Sequence, residues 1–207
     1  MFKVLKKSKV ASNAVWIIIG KVAQSILSLI VGMMTARYMG PSNYGLISYA
    51  ASIVAFVVPI MNLGLSNVLV QEYTNQPEKE GEIFGSAIVV SILSSLCCIF
   101  GVTLFTLFFD NGKPETNLVV ILYSLMLIFQ AFELITYWFQ AKFLSKYVAI
   151  ASFISYGVVS AYKILLLAKK ASIFWFALSN SIDYFLIALL LICLLYTSDA
   201  ADDRISV

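Results

Sequence analysis

The chain has 207 residues, of which 61% are hydrophobic and 12% charged, with 14 basic and 11 acidic side chains and no histidine. A soluble domain is about half apolar and about a quarter charged, so this balance excludes one. Without histidine, the commonest acid–base catalyst and metal ligand is missing, and neither enzyme activity nor a metal or other cofactor is expected.

The apolar residues come in runs of about twenty, the length that crosses a bilayer, and no segment shows the roughly ten-residue alternation of a membrane barrel. The expected fold is all-α: a polytopic membrane protein of about six transmembrane helices. Residues 1–11 form a basic lead with Lys3, Lys6, Lys7 and Lys9. The first apolar run is too long for a signal h-region and ends in no small-residue cleavage site, so it is expected to stay as a helix over about residues 12–39. A second helix is expected over about 44–70, a third over 83–109, a fourth over 116–140, a fifth over 147–168 and a sixth over 172–195. Between the first two lies TARYMGPSNYG, Thr35 to Gly45. Gly40 suits a left-handed helix end, Pro41 cannot continue the helix, and Ser42 or Asn43 can cap the next one. A polar loop, QEYTNQPEKEGE, separates the second and third helices.

Sidedness follows from the basic residues. A cytoplasmic N-terminus puts Lys3, Lys6, Lys7, Lys9, Lys79, Lys142 and Lys146 inside, against Arg37, Lys113, Lys169 and Lys170 outside. Cys97 and Cys98 are adjacent in a helix and point apart, which suggests neither a disulfide nor a zinc site. The composition changes abruptly after Ile192. Residues 193–202, CLLYTSDAAD, resemble a transposase-type sequencing adapter translated in one reading frame. Residues 193–207 are therefore expected to be a non-native tail, residues 1–192 a single transmembrane lobe, and the natural chain longer.

Charges in mid-bilayer cost at least about 2.5–3.5 kcal/mol each on insertion scales, so they face a bundle interior or a wet cavity. Lys21, Glu133 and Asp183 are such residues, and Lys163 lies nearer a helix end. Helical spacing puts Lys21, Gln24, Ser25, Ser28, Gly32 and Thr35 on one stripe. Gln130, Glu133, Tyr137 and Gln140 make another, Ser152, Tyr156, Ser160 and Lys163 a third, and Asn180, Asp183 and Tyr184 a cluster. Two arrangements fit: a structural bundle in which Lys21 pairs with Glu133 or Asp183, and a water-filled cavity whose cations meet an anionic substrate. Polar groups on several helices favour the cavity.

The stretch from Asn13 to Ala50, with Ala36-Arg37-Tyr38-Met39-Gly40-Pro41 and Tyr44-Gly45, resembles the start of bacterial polysaccharide-biosynthesis flippases of the MOP superfamily. Asn62-Leu63-Gly64-Leu65 and the stretch from Tyr137 to Ser152, YWFQAKFLSKYVAIAS, resemble later motifs of the same family. Met39 stands where leucine is usual. The resemblance implies the N-terminal lobe of a two-lobed transporter in the bacterial inner membrane. Its substrate would be undecaprenyl-pyrophosphate-linked oligosaccharide, and its surroundings membrane lipids and other polysaccharide-assembly membrane proteins, with no nucleic acid. On that reading Lys21 and Arg37, and after them Lys163, hold the pyrophosphate, the alternative for Arg37 being an anchor among lipid headgroups. Gln24, Gln130, Tyr137 and Asn180 hydrogen-bond sugar, and Glu133 and Asp183 bind a coupling ion or neutralise charge. A MATE-like exporter of small molecules, a non-transporting membrane protein and a membrane glycan enzyme are the other readings.

Overall fold

The computed structural model describes residues 2–62, 64–109 and 114–205, and Lys113 lies outside them. Among the described residues the ordered elements are all helical.

Helix α1 (Phe2–Asn62) consists of two helical arms that meet at Gly40, whose φ of 72° and ψ of 172° are not helical. That pair of angles lies in a region open essentially to glycine alone, and it differs from the left-handed helix end expected there. Pro41 follows at the first position of the second arm, where its fixed φ fits and no N–H is needed. Ser42 and Asn43 thus fall inside the first turn instead of capping it. The break folds the two arms back on each other. Ser28 and Ala51 would be about 34 Å apart on a straight helix, yet both line one cavity of about 250 Å³. The apolar stretch Ala14–Asn62, 49 residues long, is therefore two membrane spans. With four more apolar helical segments long enough to cross, the bundle has six.

The second span ends at Asn62, short of the expected 70. Gly64, in the left-handed region with φ 71°, starts a separate helix α2 (Leu65–Asn75). This helix is less apolar and buries Leu69 and Tyr73 against α6 (Leu134–Ala141). A 3-10 turn at Pro77–Lys79 leads into α3 (Glu80–Phe109). The expected fourth helix is segmented as α4 (Pro114–Ser124), α5 (Met126–Gln130), a 3-10 turn at Ala131–Glu133, and α6. The tightening is visible where the Ile128 amide donates to the Leu125 carbonyl at 3.2 Å, three residues back. Helix α7 (Ser145–Ala168) and α8 (Ile173–Ile205) complete the bundle. Helix α8 continues past residue 195, where the sixth helix was expected to end.

The two tight turns around α7 have the same design. Before it, the Leu144 amide donates to the Phe139 carbonyl at 2.8 Å and Phe143 to Gln140 at 3.1 Å. After it, Ala171 donates to Leu166 at 3.0 Å and Lys170 to Leu167 at 3.2 Å. These are paired Schellman bonds, with Phe143 (φ 60°) and Lys170 (φ 51°) in the position that glycine usually fills.

Contacts at the helix ends define two ends of the bundle. At one, the Tyr38 hydroxyl donates to the Ala171 carbonyl at 3.3 Å, which joins the Gly40 hairpin to the α7–α8 turn. At the other, the Trp138 indole N–H donates to Glu80 Oε2 at 2.8 Å and Lys142 Nζ lies 2.6 Å from Glu80 Oε1. Lys146 stacks over the Trp16 ring there, 5.2 Å from its centroid. The first arm of α1 lies mainly along α7. A Cβ built on Gly20 would come within 3.2 Å of the Ala149 Cβ, so glycine sets that approach. Large side chains such as Phe56, Phe100 and Phe108 point outward, as lipid-facing residues of a spanning bundle do.

Candidate functional site: two stacked polar cavities

Two cavities lie one above the other along α1, α7 and α8. The inner one, at the Trp138 end, has a volume of about 360 Å³. Lys21 and Gln24 reach it from α1, Glu133, Tyr137 and Gln140 from the fourth span, Ser152 from α7, and Asp183 and Tyr184 from α8. The outer one, at the hairpin end, is lined by Ser28, Gly32 and Thr35, by Tyr44 and Ser48 across the hairpin, and by Tyr123, Tyr156, Lys163 and Asn180.

Each cavity takes its half of the same stripes. On α1 the stripe divides at Ser25, whose hydroxyl turns back to the Lys21 carbonyl at 2.8 Å. On α7 Ser152 lies in the inner cavity and Tyr156 and Lys163 in the outer. On α8 Asn180 lines the outer cavity, and Asp183, one turn on, the inner. The periodicity of the sequence placed these side chains on inward faces. Their division into two chambers depends on how the helices approach one another.

Five of the eight expected site residues meet in the inner cavity: Lys21, Gln24, Glu133, Tyr137 and Asp183. Asn180 is in the outer one. Gln130 lines neither; it is buried, and its Nε2 donates to Glu133 Oε2 at 3.5 Å. Arg37 also lines neither and is exposed at the hairpin. Lys21 makes no ion pair with Glu133 or Asp183 among the described residues, where Lys142 and Glu80 form the pair within 4.0 Å.

Asp183 is buried, and the Ser155 hydroxyl lies within donating distance of both its Oδ1, at 2.9 Å, and its main-chain carbonyl, at 3.1 Å. Ser155 belongs to the α7 stripe by spacing, three residues after Ser152, and that spacing was the signal that could have found it. Glu133 sits in the 3-10 turn and is exposed to the cavity. A short 3-10 stretch within a helix often marks a hinge or a strained sequence. In the outer cavity Lys163 Nζ donates to Asn180 Oδ1 at 3.2 Å. Tyr123 and Tyr44 are both in that wall; Tyr123 was not singled out by sequence, and Tyr44 only as part of the turn motif, not as a cavity residue.

The arrangement sets two polar cavities in an apolar bundle, with carboxylates and one lysine in the inner and one lysine among hydroxyls and an amide in the outer. No curated protein and no solved structure matches the chain. A family model described as polysaccharide biosynthesis protein matches residues 10–201. Six apolar spans around a polar interior, and a match that covers nearly the whole chain, place it: the chain belongs to the polysaccharide biosynthesis protein family.

Proposed function

We propose that this six-span bundle is one lobe of a two-lobed flippase that carries undecaprenyl-pyrophosphate-linked oligosaccharide across the bacterial inner membrane for O-antigen, capsule or exopolysaccharide synthesis. The observation that carries the reading is the pair of polar cavities. Two sets of charged, amide and hydroxyl side chains are more than a structural bundle needs, and among the described residues Lys21 is not consumed by an ion pair. Family membership supports the polysaccharide substrate. Lys21, Gln24 and Tyr137 contact substrate in the inner cavity; Glu133 and Asp183 bind a coupling ion or balance Lys21. Asn180 acts in the outer cavity, and Gln130 acts through Glu133. Arg37, outside both cavities, serves as an interfacial anchor. The N-terminus is cytoplasmic, so the hairpin faces the periplasm.

The pair of carboxylates in the inner cavity favours a second reading, a MATE-like exporter of organic cations on the same scaffold. Cells that lack their own repeat-unit flippase and carry the continuous gene distinguish the two. Restored surface glycan is expected, and its loss in Lys21→Ala. Glycan that stays absent while a cationic dye is expelled would overturn the flippase reading in favour of the exporter.

A further inference from the structure

The two cavities differ in charge, and the difference bears on which of them holds the anionic part of a substrate. The inner cavity sets two carboxylates, Glu133 and Asp183, beside its one lysine. An anion entering there meets more opposing than attracting charge. The outer cavity has Lys163 and no carboxylate among its lining residues. The rest of its polar wall consists of hydroxyls from Ser28, Thr35, Ser48 and tyrosines, and the Asn180 amide.

Lys163 is also set in place. Asn180 Oδ1 accepts one of its N–H groups at 3.2 Å, and an ammonium has three to give. Two remain for a ligand. Asp183, one turn along α8, lines the inner cavity and accepts from Ser155, and it is near enough to Lys163 for the two charges to interact. The outer volume, about 250 Å³, is below the roughly 300–1,000 Å³ of pockets that enclose drug-sized molecules. It suits a compact head group.

We propose that the outer cavity is a phosphate-class anion site with Lys163 as its cation and Asn180 as the group that positions it. Lys21, in the carboxylate-bearing inner cavity, does not hold the anion. This rests on the flippase reading only for the identity of the anion's carrier, a lipid-linked glycan; a free pyrophosphate presents the same chemistry.

The test uses the purified full chain in detergent, titrated calorimetrically with inorganic pyrophosphate, and in a second arm the chain in nanodiscs with polyprenyl-pyrophosphate-linked oligosaccharide. Lys163→Gln keeps an amide within reach of Asn180, and its melting temperature reports that the fold is intact. Its pyrophosphate affinity is expected to fall at least about tenfold, the effect of one lost charge-assisted hydrogen bond. Lys163→Arg is expected to recover most of the binding. Asn180→Asp, which sets a carboxylate beside the lysine, is expected to weaken it. Lys79→Gln, in the 3-10 turn outside both cavities, should stay within about threefold of wild type, as a separate site does. A wild-type chain that binds no pyrophosphate, or a loss in Lys21→Gln with none in Lys163→Gln, overturns the assignment. Pyrophosphate binding that needs Lys163, with no binding of the lipid-linked glycan, keeps the anion site and removes the flippase reading. Lipid-linked glycan bound equally by wild type and Lys163→Gln keeps the flippase reading and removes the anion site.

Discussion

Glu80 takes both its partners from another part of the chain. One oxygen accepts the Trp138 indole and the other faces Lys142, whose ammonium lies 5.6 Å from the centre of the Trp138 ring. A charge-assisted hydrogen bond is worth about 1.5–3 kcal/mol. Trp138→Phe keeps the ring and removes the donor, so a loss of that order is expected in detergent denaturation. Lys142→Met should cost less, because its side chain is 40% exposed and the ion pair is correspondingly screened. Beside this cluster Tyr73 is buried, its hydroxyl has no hydrogen-bond partner among the described residues, and burial, with a smaller push from the Glu80 carboxylate, raises the phenol to about 12. Its folded value is raised above the unfolded one of 10.0. The protonated phenol therefore contributes stability that is complete below pH 10 and is lost as pH rises toward 12. Melting temperature against pH checks this: Tyr73→Phe should flatten the decline between pH 10 and pH 12 while leaving the neutral-pH value equal or higher. None of this cluster was readable from sequence, since Glu80 and Trp138 are joined only by the packing of α3 against the fourth span.

Among the elements, the turns show most clearly what local chemistry dictates. Gly40-Pro41 announced a helix break, and the break is there. Its geometry is more restrictive than a left-handed cap, because ψ of 172° leaves no room in conformational space for a side chain. Gly40→Ala should therefore destabilise by about 1–3 kcal/mol, although nothing lies within 4 Å of the added methyl. Gly85→Ala, also open but inside α3, should be neutral or gain up to about 1 kcal/mol; thermal melts of the two separate backbone strain from crowding. The Schellman turns give the opposite prediction. Lys170 holds a glycine-type conformation on an exposed turn, so Lys170→Gly should raise stability by about 0.5–1 kcal/mol. The segmentation of the fourth span was not legible, because its helical spacing of apolar and polar residues runs unbroken through the 3-10 turn at Ala131–Glu133.

For the whole molecule, the sequence determined the class and the number of spans through hydropathy alone, because a bilayer leaves few alternatives to helices. It placed the inward stripes through spacing. It could not place Arg37 outside the cavities or assign Lys21 and Lys163 to different chambers, because both depend on where six helices meet. The contacts at the bundle ends make sidedness testable. In a variant lacking Cys97, Cys98 and Cys193, Ser42→Cys and Lys170→Cys should react together with an impermeant maleimide added outside intact cells, and Lys79→Cys only after permeabilisation. Reaction of Ser42→Cys and Lys170→Cys from opposite sides would contradict the six-span arrangement.

The break at Gly40 also bears on how the chain enters the membrane. Its two arms are helices that meet at a single non-helical residue, with no loop between them. A turn this short favours entry of the two arms together, as one hairpin. The polar groups carried across at its tip are few: Arg37, Ser42 and Asn43. The arginine, at about 2.5–3.5 kcal/mol on insertion scales, is the largest barrier to that passage, and lengthening or charging the tip would slow delivery of the protein before it affected the finished bundle.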